Sequence, residues 1–210
     1  RVFWSTFMAR TVNKRGEVVK SKVFATWSQL VVRWCPLEQE VDVRVAILMG
    51  GRSGEHDISL VTGRSVLAGL ESSGHTCETL LFHRDHGATF AGQSGTELDA
   101  LGRLQAWNPH VAFIAMHGPY GEDGRVQGLL ELLEVPYQGC DARTSAVCLD
   151  KALTKLVYRD AGLPVASDRT LHAEMLGSVS FDALEAELGL PLVLKTAESG
   201  SSVGVEVVTE

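Results

Sequence analysis

The stretch Val43-Arg44-Val45-Ala46-Ile47-Leu48-Met49-Gly50-Gly51-Arg52-Ser53-Gly54 marks the start of a regular structural pattern in this chain. It begins with an almost continuous apolar run, which is typical of a strand buried on both faces of a parallel sheet. Glycines then end the strand, and the residues from Ile58 to about Leu70 have helical character. Because Cys77–Phe82 is again strand-like, the segment predicts a strand, a helix and a second strand in succession.

The alternation of strands and helices continues further along the chain. Val111–Met116 is another apolar strand that precedes a glycine, and apolar residues at i, i+3, i+4 and i+7 predict an amphipathic helix over 126–133. Val135–Tyr137 predicts a short strand, Ser145–Ala161 predicts one helix, and the glycine-rich, polar residues 84–98 predict a loop. This order predicts an α/β domain with a mainly parallel sheet.

The glycine-rich turns after the first and third of these strands are the expected places for function. In open parallel sheets, ligands bind beyond the carboxyl ends of the strands. The first turn, Gly50–Gly54, is not G-x-G-x-x-G, so it does not support a dinucleotide-binding fingerprint. A dinucleotide-binding module remains only as an alternative.

Composition limits the class of protein. With 210 residues and 45% hydrophobic content, the chain can form a core in one or two domains. The net charge of −7 argues against a general nucleic-acid binder, and no apolar run approaches the roughly 20 residues that span a bilayer. The four cysteines form no C-x-x-C pair, which is typical of a protein in a reducing compartment.

Residues 1–42 differ in composition from the rest of the chain. They carry a net charge of +3, whereas residues 43–210 carry −10, and they contain three of the four tryptophans. The segment is interpreted as a targeting leader, as a small hairpin with strands near Glu17–Val19 and Leu30–Val32, or as upstream sequence outside the functional protein. The last interpretation is preferred, and no chemistry is assigned to the segment.

Acidic residues and a histidine accompany both glycine turns. Glu55 and Asp57 precede the first helix, where a carboxylate either caps the helix N-terminus or binds the ammonium group of an amino acid. Capping is the first interpretation for Asp57. His117 ends a buried strand and is better placed to face a ligand, whereas Glu122 and Asp123 are interpreted as solvated loop acids.

A loop rich in glycine and serine begins at Lys195. Residues 193–194 and 205–208 are strand-like, so the loop is either a plain hairpin turn or a phosphate-binding loop with an ammonium group at its base. Lys151 lies in the predicted 145–161 helix, together with a solvated basic face at Lys155 and Arg159. Lys151 and Lys195 are candidates to bind one nucleotide phosphate group.

Taken in order, these segments resemble the D-alanine–D-alanine ligases of the ATP-grasp superfamily. The matching segments are Gly-Gly-x-Ser-x-Glu (50–55), His-Gly-x-x-Gly-Glu-Asp-Gly (117–124), Gln127–Glu131, Pro136-Tyr137-x-Gly139, Asp150-Lys151 with Thr154-Lys155, Ala161–Pro164, and Lys195 with Gly200–Gly204. The resemblance implies a Rossmann-like, parallel-sheet N-terminal (pre-ATP-grasp) domain over 43–141. It also implies the first, incomplete part of an ATP-grasp domain over 142–210.

The resemblance implies a cytoplasmic enzyme of peptidoglycan synthesis that joins two D-alanines. Such enzymes phosphorylate the carboxylate of one D-alanine, and the amine of a second attacks the resulting acyl phosphate. By position, Glu55 and Ser201 would be the catalytic residues. Glu55 would bind the ammonium group of the first D-alanine, Ser201 would help to orient that substrate, and His117 would lie near it.

The cofactors implied by the resemblance are ATP and Mg²⁺. Lys151 and Lys195 would contact the ATP phosphates, and Ser202 and Gly204 would belong to the loop that closes over them. No metal ligand is expected in this chain, because the family's magnesium ligands would follow Glu210. The 210-residue chain alone is therefore expected to lack ligase activity. The implied partners are D-alanine, ATP and, in the full-length family, a second copy of the chain, with neither nucleic acid nor membrane.

The sequence departs from the family pattern at Lys195-Thr196, where the usual pair is Lys-Pro. Three alternative functions remain open. One is a ligase that makes D-alanyl-D-lactate or D-alanyl-D-serine, and another is an ATP-grasp carboxylate–amine ligase with different substrates. The third is a non-catalytic, nucleotide-binding fragment.

Overall fold

A computed structural model describes residues 10–12, 18–20, 42–175, 177–200 and 204–209. Contacts within the chain divide it into two units, Arg1–Val41 and Asp42–Glu210. In the first unit, strand β1 (Arg10–Val12) pairs antiparallel with β2 (Val18–Lys20). The predicted strand near Glu17–Val19 therefore corresponds in part to β2, whereas the one near Leu30–Val32 lies outside the described residues.

The second unit contains a five-stranded sheet in the order β6-β5-β4-β3-β7. Strand β3 (Arg44–Gly50) pairs in parallel with β4 (Thr76–Phe82) on one side and with β7 (Val111–Ile114) on the other. Strands β5 (Ala88–Phe90) and β6 (Gln93–Gly95) extend the sheet in antiparallel fashion. The carboxyl ends of β3, β4 and β7 therefore lie at one edge of the sheet.

Both faces of β3 are covered, as its apolar sequence predicts. Val45, Ile47 and Met49 belong to a core cluster that includes apolar residues of helix α1 (His56–Ser72). Ala46 and Leu48 belong to a second cluster, on the side of helices α2 (Glu97–Trp107) and α3 (Arg125–Leu132). Because successive side chains of a strand point to opposite faces, an unbroken apolar run is needed to fill both clusters.

The prediction of a loop over 84–98 is wrong in part. The segment contains β5 and β6 and ends in the first residues of α2, a helix that the apolar periodicity did not predict. Thr96 begins this helix with a capping box, in which Thr96 and Asp99 exchange hydrogen bonds between side chain and backbone. Hydrogen bonds from Thr96 lower the pKa of the Asp99 carboxyl below its usual value.

The prediction of one helix over 145–161 is also wrong. Helix α4 (Ala142–Leu149) ends at Asp150, and α5 (Lys151–Asp160) begins there. The Asp150 carboxylate accepts hydrogen bonds from the backbone N–H groups of Ala152 and Leu153, at 2.9 and 3.1 Å, so it caps the new helix. Lys151 consequently lies at a helix N-terminus, and its backbone N–H donates to the carbonyl of Ala197 at 3.1 Å.

The remaining elements complete the unit. A short 3₁₀ helix (Ala173–Met175) precedes α6 (Phe181–Leu188), and β8 (Leu192–Leu194) pairs antiparallel with β9 (Glu206–Val208), which confirms the predicted hairpin strands. The predicted strand over 135–137 is reduced to one parallel bridge between Tyr137 and Ala112. No helix within the described ranges combines the length and the apolar character that crossing a membrane requires.

Candidate active site

The loops after β3 and β7 meet at the carboxyl edge of the sheet, and Ser53 joins them. The Ser53 hydroxyl donates to the carbonyl of His117 at 2.9 Å, and its oxygen lies 3.2 Å from the backbone nitrogen of Glu55, which donates to it. Ser53 is itself buried. A single side chain therefore fixes the relative position of the two loops that carry the predicted substrate residues.

Ser59 fixes the strand ends beneath these loops. Its hydroxyl donates to the carbonyl of Ala115 and accepts from the backbone N–H of Gly50, both at 2.8 Å, and the residue is fully buried. His56 is also buried, with Nδ1 2.6 Å from the carbonyl of Gly51. These side chains give hydrogen-bond partners to buried backbone groups and so hold the strand ends in place. Sequence reasoning did not identify Ser59, because a helical serine carries no pattern that marks it.

Glu55 lies immediately before α1, but its side chain does not cap the helix. The residue is buried, with 7% of its surface exposed. A Cβ atom placed on Gly118 would lie 2.3 Å from Glu55 Oε2, and a Cβ on Gly200 would lie 3.3 Å from the same atom. The carboxylate is therefore enclosed by backbone from the loops around residues 118 and 200, so that three segments distant in sequence meet at one acid.

The other three acids near these turns have structural contacts. Asp57 is exposed and pairs with Arg84 at 2.9 Å. Glu122 accepts a hydrogen bond from the backbone N–H of Gly118 at 2.8 Å, and Asp123 accepts from the backbone N–H of Tyr120 at 2.7 Å. Glu122 is exposed and Asp123 partly exposed, as predicted for loop acids, but both also hold the 117–124 loop in its turn, which the prediction did not include.

His117 lies just beyond β7 and is half-buried. Its backbone carbonyl is held by Ser53, and its ring Nε2 lies 3.0 Å from the hydroxyl oxygen of Thr62 in the second turn of α1. The ring thus contacts the same helix that Glu55 precedes. Thr62 is a further residue that sequence reasoning did not identify.

Lys151 is tied to the loop that follows Lys195. Its ammonium group donates to the carbonyls of Ser199 at 2.5 Å and Ala197 at 3.2 Å, and its backbone N–H donates to Ala197 as well. Lys195 is exposed at the start of this loop. The structure therefore brings Lys151 to the predicted phosphate-binding loop, and Gly200 extends the same loop to Glu55.

Gly204 is the last predicted site residue along the chain that the structure describes. Gly204 has a positive φ of 69°, a conformation that favours glycine, and a Cβ placed on it would be 3.1 Å from Thr196 Cγ2. Ser201 and Ser202 lie outside the described residues. Their predicted roles remain predictions.

A separate cavity of about 190 Å³ lies beside the same loops. It is lined by Gly51, Arg52, Met116 and Tyr120, together with side chains of β4, α2 and α3. The guanidinium carbons of Arg52 and Arg125 stand 5.7 and 4.8 Å from the centre of the Tyr120 ring. Glu55 and His117 do not line this cavity, so it is distinct from the candidate active site.

The described residues offer phosphate ligands but no metal cluster. Ammonium groups and a glycine-rich loop suit a polyphosphate, whose charge they neutralise and whose oxygens accept their N–H groups. Within the described ranges, no three or more histidine, cysteine, aspartate or glutamate residues are grouped so that they could hold a metal ion.

The fold and the loops at its carboxyl edge define an α/β domain of the ATP-grasp ligase type, followed by part of a second α/β region. A family model described as "D-ala D-ala ligase N-terminus" matches residues 84–140. The D-alanine–D-alanine ligase of Desulforudis audaxviator is 45% identical over 165 residues, which cover 79% of this chain and 49% of that protein. The chain is therefore similar, over about four fifths of its length, to D-alanine–D-alanine ligases, and residues 84–140 match the N-terminal region of that family, which confirms the resemblance.

Solved structures agree with this assignment. The D-alanine–D-alanine ligase of Bacillus anthracis is 33% identical, with a TM-score of 0.64 over 80% of this chain and 50% of that one. The same ligase complexed with ATP gives 31% identity and a TM-score of 0.60, again over 80% of this chain and 50% of that one. The chain spans about half the length of the curated relatives that it matches.

Proposed function

We propose that this chain forms the binding region for the first D-alanine and for ATP in a ligase that joins two D-alanines for peptidoglycan synthesis. The observation that carries the proposal is the buried Glu55 carboxylate, enclosed by the backbone at Gly118 and Gly200. A carboxylate in such an enclosure favours a ligand that is a cation and also donates hydrogen bonds. The ammonium group of an amino acid has both properties, and the enclosing backbone limits the size of what can reach it.

His117 and Ser201 are proposed to contact the same D-alanine because they adjoin, in sequence, the glycines that enclose Glu55. His117 lies on the loop that Ser53 ties to Glu55, so a substrate held by Glu55 also meets this loop. Ser201 directly follows Gly200 in the chain, and we assign it the role of orienting the same substrate. In such a site the protein contributes mainly positioning and neutralisation of charge.

ATP is proposed to bind between Lys151 and the loop that begins at Lys195, with Ser202 and Gly204 in the segment that closes over its phosphates. An ammonium group has three donors, and Lys151 uses two of them on the loop carbonyls. Among the described residues no third acceptor is found for this ammonium group, and we assign its third donor to a phosphate oxygen. When bound, ATP supplies the phosphoryl group that activates the carboxylate of the first D-alanine.

Among the described residues, no cluster of acids, histidines and cysteines fits magnesium. The proposal places its ligands in the half of the relatives' length that this chain does not span. We also propose that residues 43–141 and 142–210 are separate domains, that the enzyme is a cytoplasmic homodimer, and that it uses neither nucleic acid nor membrane.

Calorimetric titration with D-alanine tests the proposal. Glu55→Gln removes the charge without changing the shape, and we expect it to weaken D-alanine binding at least tenfold, since a charge-assisted hydrogen bond to the ammonium is lost. Asp57→Asn is the matched control, because Asp57 is two residues away and its exposed ion pair with Arg84 contributes little. Equal binding of D-alanine by the wild-type chain and by Glu55→Gln would contradict the proposal.

A second titration tests the nucleotide site. Lys151→Met should weaken ATP binding about tenfold or more, whereas Lys155→Met, one turn further along the same helix, should leave it nearly unchanged. The Lys155 ammonium group instead pairs with Asp168 at 3.3 Å and donates to the carbonyl of Ala166 at 3.2 Å. Binding of ATP without any binding of D-alanine would instead support the non-catalytic, nucleotide-binding alternative.

A further inference from the structure

Two residues of α1 hydrogen-bond the carbonyl four residues earlier, but only one of them also contacts a histidine. The Ser65 hydroxyl donates to the carbonyl of Val61 at 2.9 Å. The Thr62 hydroxyl donates in the same way to the carbonyl of Ile58, at 3.1 Å. Thr62 Oγ1 additionally lies 3.0 Å from Nε2 of His117. Thr62 is therefore shared between the helix backbone and the ring.

The number of hydrogens on the Thr62 hydroxyl determines which tautomer of the His117 ring fits this contact. A hydroxyl has one hydrogen and two lone pairs, whereas a carbonyl oxygen can only accept. Since the Thr62 hydrogen is directed to Ile58, the contact with His117 is a hydrogen bond only if the ring donates. The donor must then be Nε2–H, and in the neutral ring Nδ1 carries the lone pair.

The ring is held from its backbone side as well. The carbonyl of His117 accepts from Ser53, and the next residue, Gly118, donates its N–H to Glu122 at 2.8 Å. These bonds place the backbone at the end of β7, and Thr62 then determines the orientation of the ring. A histidine whose second nitrogen is bonded in this way has its tautomer set by that bond.

We propose that Thr62 is a positioning residue that fixes neutral His117 as the Nε2–H tautomer, so that Nδ1 serves as a hydrogen-bond acceptor for an ammonium group. The ligand role rests on the proposed function, because it assumes an amino acid held at Glu55. The chemistry is specific: Glu55 supplies negative charge and Nδ1 supplies a neutral lone pair, and both suit an ammonium group. The opposite tautomer would present an N–H at Nδ1, which suits a carboxylate.

The tautomer is measured by nitrogen NMR on the 210-residue chain labelled with ¹⁵N-histidine. A pyridine-type ring nitrogen resonates far from a pyrrole-type one, so the neutral ring reports which nitrogen carries the hydrogen. His117→Gln identifies the His117 signals among those of the seven histidines. Thr62→Val removes the hydroxyl at nearly constant shape, Thr62→Ser retains it, and Ser65→Ala removes a hydroxyl that contacts no histidine.

We expect wild-type His117 to be almost entirely the Nε2–H tautomer. Thr62→Val should lower the ratio of the two tautomers about fivefold, the effect of one net hydrogen bond, and Thr62→Ser should restore it. Ser65→Ala should change nothing at His117. A wild-type ring with its hydrogen on Nδ1, or a Thr62→Val ratio equal to the wild-type one, would overturn the proposal. The spectra require neither D-alanine nor ATP, so failure of the ligase proposal would be seen separately, in the titrations.

Discussion

Among single residues, Gly118 lies so close to the Glu55 carboxylate that the site has no room for a side chain at this position. Its φ of 65° lies in the left-handed region, which glycine adopts without strain. A Cβ at this position would also meet Glu55 Oε2 at 2.3 Å. The residue is thus constrained twice, once by its backbone conformation and once by the carboxylate that we assign to the substrate.

Gly118→Ala should therefore lose binding as well as stability. We expect a decrease of about 1–3 kcal/mol in the free energy of unfolding, from backbone strain and displacement of Glu55, together with loss of D-alanine binding. Gly74→Ala is the matched control, because Gly74 has a φ of 82° but no atom within 4 Å of its added Cβ. Urea unfolding and calorimetry measure both variants. Unchanged D-alanine binding by Gly118→Ala would show that the carboxylate is not held against this loop.

At the scale of elements, the junction between α3 and α4 is joined by one carboxylate. Glu131 Oε1 accepts from the hydroxyl of Tyr137 at 2.6 Å and from the backbone N–H of Ala142 at 3.2 Å. Burial, and then the hydrogen bond to Glu131, raise the pKa of Tyr137 to about 12. The folded state therefore favours the protonated phenol, whose unfolded pKa is about 10.

This raised pKa gives a pH dependence with a definite sign. The stability that Tyr137 contributes should be fully present below about pH 10 and should be lost as the pH rises towards 12. We expect the difference in unfolding free energy between the wild type and Tyr137→Phe to be constant from pH 7 to 9 and to shrink above pH 10. Tyr158→Phe, at an exposed position, serves as the control. A difference that grows with pH would contradict the assignment.

The helices and strands differ in how well the sequence predicts them. The apolar run of β3 predicts a strand buried on two faces, because Ile47 and Leu48 must fill opposite clusters. Helix α2 escaped prediction because only Ala100 and Leu104 are buried in it, too few to give a clear period, although Thr96 and Asp99 carried a capping signal. The break at Asp150 was missed because an N-cap aspartate inside a helical pattern resembles a surface acid.

Sequence reasoning named Glu55, His117 and Lys151 but assigned no role to Ser53 or Thr62. Glu55 and His117 lie at a helix start and a strand end, where ligands are expected from topology. Lys151 lies instead within a predicted helix, and it is a candidate because it could converge with Lys195 on a phosphate. Ser53 and Thr62 contact residues 64 and 55 positions away in sequence, and no local pattern encodes such contacts. The division proposed between residues 141 and 142, and the roles of Ser201 and Ser202, stay predictions.

At the scale of the whole molecule, buried apolar residues are unevenly distributed. Every buried hydrophobic residue of the described chain lies between Val45 and Val135. In the described part of 142–209, Ser145 alone is buried, whereas Leu156, Val193 and Val207 are more than half exposed. Local stability follows local burial, so the two regions should open with different free energies.

Amide hydrogen exchange tests this difference. We expect amides of β3 and β7 to exchange only through global unfolding, and amides of α5, β8 and β9 to exchange through local opening at least a hundredfold faster. The β3 amides are the internal reference within the same sample. Uniform protection from residue 44 to residue 208 would contradict the expectation, since it would require a common core for both regions.

Three loops distant in sequence, which carry Glu55, Gly118 and Gly200, are proposed to form one amino-acid site. The sharpest test is a titration of the ¹⁵N-labelled chain with D-alanine, followed by amide chemical shifts. We expect the largest shifts at these three residues and little change at Arg84, which pairs with the exposed Asp57. Shifts confined to the cavity around Tyr120, or no shift at any of the three loops, would contradict it.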